Sequence, residues 1–316
     1  MSVRGRTLLG IAIAVVIGGY LTTRFVSHGY FYFASYVILQ YIMLATAWNI
    51  LGGYTGYVNF GSAAFFAVGA YTSIVLIKAF KAYFIFLALA GGLASALLGL
   101  GIGYLTLRLR GVFFSIATLA LAVVLQTAVI NWEYVGGARG IYILRARSMP
   151  FFSSYTEFLF FMMVLFAVLS VAAAWWIENS WVGRGLAAIR DNEEAAECMG
   201  VPTLRLKLFA TTVSGFIMGL AGAPFPYYVT YVEPSSAFNL DYAVNSLAMP
   251  MIGGTTSWLG PLVGAVLLGA AQQIATVTIS SAWNLLIVGV VLVAFVILAP
   301  EGIVGLALRL ARRKGG

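Results

Sequence analysis

Charged side chains are scarce in this chain: Asp, Glu, Lys and Arg make up 9% of 316 residues. A soluble domain carries about 25%, so a surface turned wholly to water is excluded. With 62% hydrophobic residues and a mean hydropathy of +0.97, most of the exterior must face lipid. One cysteine, Cys198, excludes an intramolecular disulfide. One histidine, His28, excludes a histidine-based metal site. Carboxylates are missing from the middle of every apolar run, since Glu133, Glu157, Glu233 and Asp241 all fall at run edges. Buried carboxylates normally mark ion paths, so a proton- or sodium-coupled carrier, a charged pore and an intramembrane hydrolase are all disfavoured. The net charge of +8 is explained by basic loops on the cytoplasmic side and calls for no nucleic acid.

What is present is a series of apolar runs reaching the about 20 residues that a helix needs to cross hydrocarbon. They lack the period-two alternation of barrel strands. The expectation is an all-α polytopic membrane protein of about ten transmembrane helices, forming a single domain over residues 1–316. The expected crossings are Leu8–Leu21, Tyr30–Leu51, Tyr57–Ile77, Tyr83–Leu107, Val112–Ile130, Thr156–Ile177, Leu208–Tyr228, Tyr242–Ile252, Leu262–Ile279 and Trp283–Leu298. With the N-terminus inside, Arg4, Arg6, Arg108, Arg110, Arg184, Arg190, Arg205, Lys207, Arg309, Arg312, Arg313 and Lys314 fall in the cytoplasm. Only Arg24, Lys78, Lys81, Arg139, Arg145 and Arg147 fall outside. That bias sets the orientation, with both termini and the basic tail 302–316 inside.

One long interval is polar. Glu178–Lys207 holds Arg184, Arg190, Arg205 and Lys207 together with Glu178, Asp191, Glu193, Glu194 and Glu197. Gly185–Met199 has helix-forming composition, with an apolar stripe of Leu186, Ala187, Ile189, Ala195, Ala196 and Met199. Asp191 or Asn192 can cap a second short helix, with Glu194 placed for a capping box from Asp191. Gly200 and Pro202 then end it. The interval reads either as a solvated linker or as a short cytoplasmic element that docks on a soluble partner.

Glycine is abundant and patterned. Gly52, Gly53, Gly56, Gly61 and Gly69-Ala70 are echoed by Gly253, Gly254, Gly260-Pro261 and Gly264-Ala265. Paired glycines here read equally as helix breaks near a substrate path and as close-packing positions between helices. The mid-membrane polar groups are mild: Gln40, Asn59, Thr118, Gln126, Ser214, Asn245, Gln272 and Gln273. Asn59 and Asn245 lie nearest the paired glycines, and with Ser62 and Thr118 they are the candidate passage residues.

Glu194-Ala195-Ala196-x3-Gly200 resembles the EAA motif of ABC importer permeases, without its downstream Ile-x-Leu-Pro. The longer run Gly183-Arg184-Gly185-Leu186-x2-Ile189-Arg190-Asp191-x2-Glu194-Ala195-Ala196-x2-Met199-Gly200 is similar to the M-type permeases of branched-chain amino-acid importers. Leu51-Gly52-Gly53-Tyr54-Thr55-Gly56, Phe114-x2-Ala117-Thr118, Gly136-Gly137-x2-Gly140-Ile141 and Gly253-Gly254-x2-Ser257-x2-Gly260-Pro261 extend the likeness from about residue 38 onward. The resemblance implies an inner-membrane subunit of a bacterial or archaeal importer. It would pair with a second permease, two cytoplasmic ATPase subunits and an extracytoplasmic binding protein. ATP would be bound by the partners, because this chain has no G-x-x-x-x-G-K-[ST] loop and no cofactor of its own. Arg184, Arg190, Asp191, Glu194, Ala195, Ala196 and Gly200 would form the ATPase-coupling surface. Tyr57-Val58-Asn59-Phe60 departs from the Gln/Leu/Ser/Leu-like run of many relatives, and Ser62 stands where His is frequent. The cargo is therefore open among branched-chain and other hydrophobic amino acids, urea and short amides. A self-sufficient channel for a small neutral solute is the competing class, but it leaves Glu178–Lys207 without a role.

Overall fold

The structure, a computed structural model, describes residues 3–25, 29–80, 83–109, 111–144, 152, 154–278, 286, 289–290, 293–294 and 302–306. The long helices are α1 (Val3–Phe25), α2 (Gly29–Thr55), α3 (Ser62–Phe80), α4 (Phe84–Thr106), α5 (Val112–Ile130) and α6 (Tyr155–Glu178). After α6 come α7 (Trp181–Asp191) and α8 (Glu193–Cys198), then α9 (Thr203–Gly222), α10 (Phe225–Val229), α11 (Pro234–Ala237), α12 (Leu240–Gly253) and α13 (Leu259–Thr278). The fold is all-α and polytopic. Helices dominate because hydrocarbon offers no water to backbone N–H and C=O groups, and a helix satisfies them within one segment.

Seven described segments are long and apolar enough to cross a membrane: α2, α3, α4, α5, α6, the α9–α10 unit and α13. Among the described residues the count is seven, so the expectation of about ten is not confirmed. Leu9–Phe25 in α1 is apolar but shorter. The eighth expected crossing is α12, whose 14 residues rise about 21 Å at 1.5 Å per residue, against about 30 Å of hydrocarbon. It packs against α2, α3 and α13, with Asn245, Ser246, Ala248, Met249 and Pro250 buried. Trp283–Leu298, the tenth expected crossing, lies for the most part outside the described residues, as do His28 and the tail from Arg309.

Contacts order the two ends of the bundle. One end gathers the C-terminus of α2, the C-terminus of α6, α7, α8 and the α12–α13 turn, through Tyr54, Glu178, Arg190 and Trp258. Gly302 lies at the same end, against the backbone of Gly253 and Gly254. The opposite end holds the α5–α6 connection. There β1 (Ile141–Tyr142) pairs antiparallel with β2 (Tyr231–Val232), and Lys78 donates to the Tyr134 carbonyl at 2.6 Å.

The tightest backbone approach is the crossing of α3, α4 and α9, where side chains nearly vanish. A Cβ on Gly69 would overlap the Gly219 carbonyl, and one on Gly219 would meet Ser95 and the Gly91 carbonyl. Such close backbone approach is how helices associate where lipid leaves little hydrophobic drive between them. Ser95 adds a buried hydrogen bond to the Phe65 carbonyl at 2.7 Å. Gly101, nearly two turns beyond Ser95 in α4, faces open space.

Two substitutions of equal size should therefore behave oppositely. Gly69→Ala is expected to cost about 1–3 kcal/mol through overpacking, whereas Gly101→Ala gains roughly 0.5–1 kcal/mol of helix propensity. Thermal unfolding of the two purified variants in detergent measures the contrast. Equal midpoints would show that the α3–α9 crossing is looser than the structure has it.

Candidate functional site

The polar interval folds as a helical hairpin laid across the ends of the spanning helices. Ser180 caps α7, its hydroxyl accepting from the Gly183 amide at 3.4 Å. The stripe of α7 turned inward is Val182, Leu186 and Ile189, spaced as one face of a helix. Asn192 caps α8 by accepting from the Ala195 amide at 3.0 Å, so of the two expected caps Asn192 is the one used. The capping box from Asp191 to Glu194 does not form, because Asp191 is still inside α7. Gly200 follows α8 with φ +82°, the left-handed position that favours glycine beyond a helix end. Thr203 closes the return by donating to Glu197 at 2.6 Å. The next helix begins at Thr203 rather than at the expected Leu208, so Lys207 belongs to α9.

The expected coupling residues divide by face. Arg184, Asp191, Glu194, Ala195 and Gly200 are exposed, whereas Ala196 is buried. Arg190 crosses between the two faces. Its guanidinium lies 3.4 Å from the Gly53 carbonyl and 3.5 Å from the Asp191 carboxylate. Met199 stands 85% exposed and Trp181 64% exposed, so the expected stripe is split. Leu186, Ile189 and Ala196 pack inward, and Met199 points out.

Two groups of polar contacts fix the inner face. Glu178, at the end of α6, accepts at one carboxylate oxygen from the Tyr54 hydroxyl at 3.2 Å and from the Trp258 amide at 2.5 Å. This joins α2 and the α12–α13 turn to the start of the hairpin. At the other end of the hairpin, the Lys207 ammonium donates to Glu193 Oε1 at 2.6 Å, Tyr57 Oη at 3.0 Å and the Leu107 carbonyl at 3.1 Å. Tyr57 in turn donates to Glu193 Oε2 at 2.6 Å. Lys207 is 3% exposed and Glu193 14%. None of Glu178, Glu193, Tyr57 or Lys207 was among the expected site residues. For Lys207 a signal existed: it shares a helix face with Ala210, Thr211, Ser214 and Met218, a pattern that implies burial. Nothing in the sequence says which of the nearby glutamates meets it.

The candidate passage residues come together in one buried belt. Asn59 accepts at its side-chain oxygen from the Gly61 amide at 2.7 Å, and Thr118 accepts from the Phe60 amide at 3.1 Å. Ser62 meets Ser246 at 2.9 Å. Beside Ser246, Asn245 accepts from Gln272 at 2.8 Å and donates to the Asp241 carbonyl at 2.9 Å. Each of these polar groups has a partner within the chain.

The helix-break reading needs correction at two of its five glycines. Helix α2 runs through Gly52 and Gly53 and ends at Thr55. These glycines make room for neighbours instead: the Trp48 ring covers Gly52, while Asn49 and the Thr255 carbonyl crowd Gly53. The break comes at Gly56, φ +78°. Gly253 is the last residue of α12, packed against Gly260 and Gly264, and the chain turns at Gly254, φ +115°. Among the described residues, no group of three or more His, Cys, Asp or Glu side chains could hold a metal ion.

The sequence is similar to known transport proteins. The family described as "Branched-chain amino acid transport system / permease component" matches residues 29–296. The high-affinity branched-chain amino acid transport system permease protein LivM of Salmonella typhimurium is 27% identical over 301 residues, covering 87% of this chain and 70% of that protein. LivM of Escherichia coli gives the same identity and coverage. An autoinducer 2 import system permease protein, LsrC of Yersinia pseudotuberculosis, is 24% identical over 60% of this chain and 54% of its own length. No solved structure matches.

Removing the Glu178 carboxylate should loosen the hairpin's entry. Glu178→Ala leaves the Tyr54 hydroxyl and the Trp258 amide without their acceptor, an expected loss of about 1–3 kcal/mol. Glu178→Gln keeps an oxygen in place and should lose less than half of that. The measurement is the thermal midpoint of each variant in detergent, and equal losses for the two would mean that the contact is not a hydrogen-bonded one.

Proposed function

The chain belongs to the branched-chain amino acid transport permease family, and from that premise we propose that it is one of two membrane subunits of an ATP-driven importer. Its cargo in this reading is a branched-chain or other hydrophobic amino acid, as the names of its LivM relatives suggest. It pairs with a related permease, the passage lies between the two, and an extracytoplasmic binding protein delivers the cargo. Two cytoplasmic ATPase subunits supply the energy, one docking on the α7–α8 hairpin of each permease. The hairpin end of the bundle, with both chain termini, faces the cytoplasm in the inner membrane.

The observation that carries this reading is the two-faced hairpin. Its inner face is tied to the rest of the bundle by Arg190, through the Gly53 carbonyl, and by Glu193, through Lys207 and Tyr57. Its outer face presents Arg184, Asp191, Glu194 and Met199. An element held rigidly on one side and exposed on the other is built to take a push. Transport then switches the membrane helices between outward- and inward-facing arrangements as the ATPases close, a rigid-body two-state change. The chain itself is a transport subunit and not an enzyme.

Reversing two outer charges tests the docking face. The double variant Arg184→Glu with Glu194→Lys should weaken co-purification of the ATPase by about tenfold or more, since like charges brought together at an interface cost heavily. Permease yield should stay unchanged. Uptake by the reconstituted complex, scanned over leucine, valine, phenylalanine, urea and short amides, identifies the cargo class. Undiminished docking and uptake in the double variant would remove the hairpin from the mechanism.

A further inference from the structure

Between α2 and α3 the chain leaves helical geometry for six residues, 56–61. This strap is anchored at both ends to different machinery. At its start, Gly56 packs against Arg190 of α7. Tyr57 is held by Glu193 of α8 and Lys207 of α9 at 2.6 and 3.0 Å, and the Lys207 ammonium also lies 4.7 Å from the Tyr57 ring centre. At its far end, the Val58 carbonyl accepts from Ser115 at 2.8 Å, and the Phe60 amide donates to Thr118 at 3.1 Å. Both of those residues sit in the first two turns of α5. The Tyr57 ring adds an edge-to-face contact with Phe114 of α5, 5.2 Å between centroids. Trp48 braces the middle by donating to the Asn59 carbonyl at 2.8 Å.

The charge cluster is closed. All three protons of the ammonium are taken, by Glu193, Tyr57 and Leu107. Both oxygens of Glu193 accept, and the Tyr57 hydroxyl both donates and accepts. A buried pair so fully bonded resists separation, because pulling it apart strands a charge away from water. By contrast, α5 is lightly held. Along its 19 residues only Phe114 and Thr118 are buried, both at the strap.

We propose that the strap is a rigid link carrying displacement of the α7–α8 hairpin to the foot of α5, with the Tyr57 hydroxyl as the positioning joint where hairpin, α9 and strap meet. The inference rests on the proposed docking of an ATPase on the hairpin. It adds a route and names the helix that moves. Tyr57 touches no cargo in this account and acts through Glu193 and Lys207 on one side and through α5 on the other.

The test uses the complete importer reconstituted in vesicles, with ATP hydrolysis and amino-acid uptake measured on the same preparation. Tyr57→Phe removes the shared hydroxyl and leaves Lys207 facing Glu193. It is expected to lower the amount imported per ATP hydrolysed by about fivefold or more, the range of a typical coupling free energy. Hydrolysis should stay within about twofold of wild type, a change too small to register as a lost coupling. Ser115→Ala cuts the far anchor and should uncouple in the same way, which keeps the question answerable if Tyr57→Phe lowers the yield of folded protein. An unchanged import-to-hydrolysis ratio in both variants overturns the link. So does a parallel fall of hydrolysis and uptake, which would mark Tyr57 as a support for docking alone. Intact docking and uptake in the Arg184→Glu, Glu194→Lys variant would overturn both this inference and the docking reading. An unchanged ratio in a complex that docks and imports normally overturns the link only.

Discussion

A single buried cation sets the geometry of the bundle's polar end. Lys207 enters α9 one turn from its start and is nearly inaccessible to water. A charge in that position is tolerated only when paired and fully hydrogen-bonded. Three separate parts of the chain meet that demand: the first residue of α8, the strap after α2 and the carbonyl of Leu107, just past the end of α4. The Leu107 carbonyl lies at a helix end, where carbonyls run out of intrahelical donors, and Glu193 sits at a helix N-terminus, where a negative charge is favoured. Each partner thus brings a group that already needed satisfying. The cluster fixes where α8 lies relative to α4 and α9, and Glu178 does the same for the entry of the hairpin.

The strap follows from the same rule applied to the backbone. Non-helical chain at membrane depth survives only when buried in protein, with its polar groups taken up. Four backbone groups of residues 58–61 meet that condition. The Val58 carbonyl goes to Ser115, the Asn59 carbonyl to Trp48, the Phe60 amide to Thr118 and the Gly61 amide to the Asn59 side chain. This explains why Asn59 and Thr118 are polar at all. Mild polar residues in an apolar chain point to either cargo or backbone, and here both bond to backbone: Asn59 to the Gly61 amide, Thr118 to the Phe60 amide and the Ser115 carbonyl. Ser62 and Asn245 find theirs in Ser246, Gln272 and the Asp241 carbonyl.

Legibility in the sequence divides along a physical line. Where burial in lipid alone decides, the reading is close: α5 matches Val112–Ile130, and α6 differs from Thr156–Ile177 by one residue at each end. Where tertiary contacts decide, it fails. The Gly52-Gly53 pair has the composition of a break, but Trp48 and Asn49 need the space and the helix continues. Helix α12 is apolar like a crossing but rises only about two-thirds of the hydrocarbon thickness, and it is covered by α2, α3 and α13 and need not span. The polar hairpin was visible as a unit by charge and helix propensity, and Asn192, Gly200 and Pro202 punctuate it as expected. Its inner attachments were not visible, because a lysine at a helix start reads as solvated until the helix boundary moves back to Thr203.

These pieces also explain why the molecule is stiff in one place and open in another. Helices α3, α4 and α9 meet through Gly69, Gly91 and Gly219 with almost no side chain between them. An interface of bare backbone has little room to slide, so this trio behaves as a block. The buried charge cluster extends the block to α8, because Lys207 belongs to α9 and Leu107 follows α4. Helix α5 is the least buried of the seven described spans, with exposed apolar residues such as Phe113, Ile116, Val123 and Val124 along its length, and it is hydrogen-bonded to the strap at its foot and packed against α3 and α11. A push on the hairpin therefore enters a stiff body, the glycine-packed trio with α8, and reaches α5 through the strap's bonds to Ser115 and Thr118.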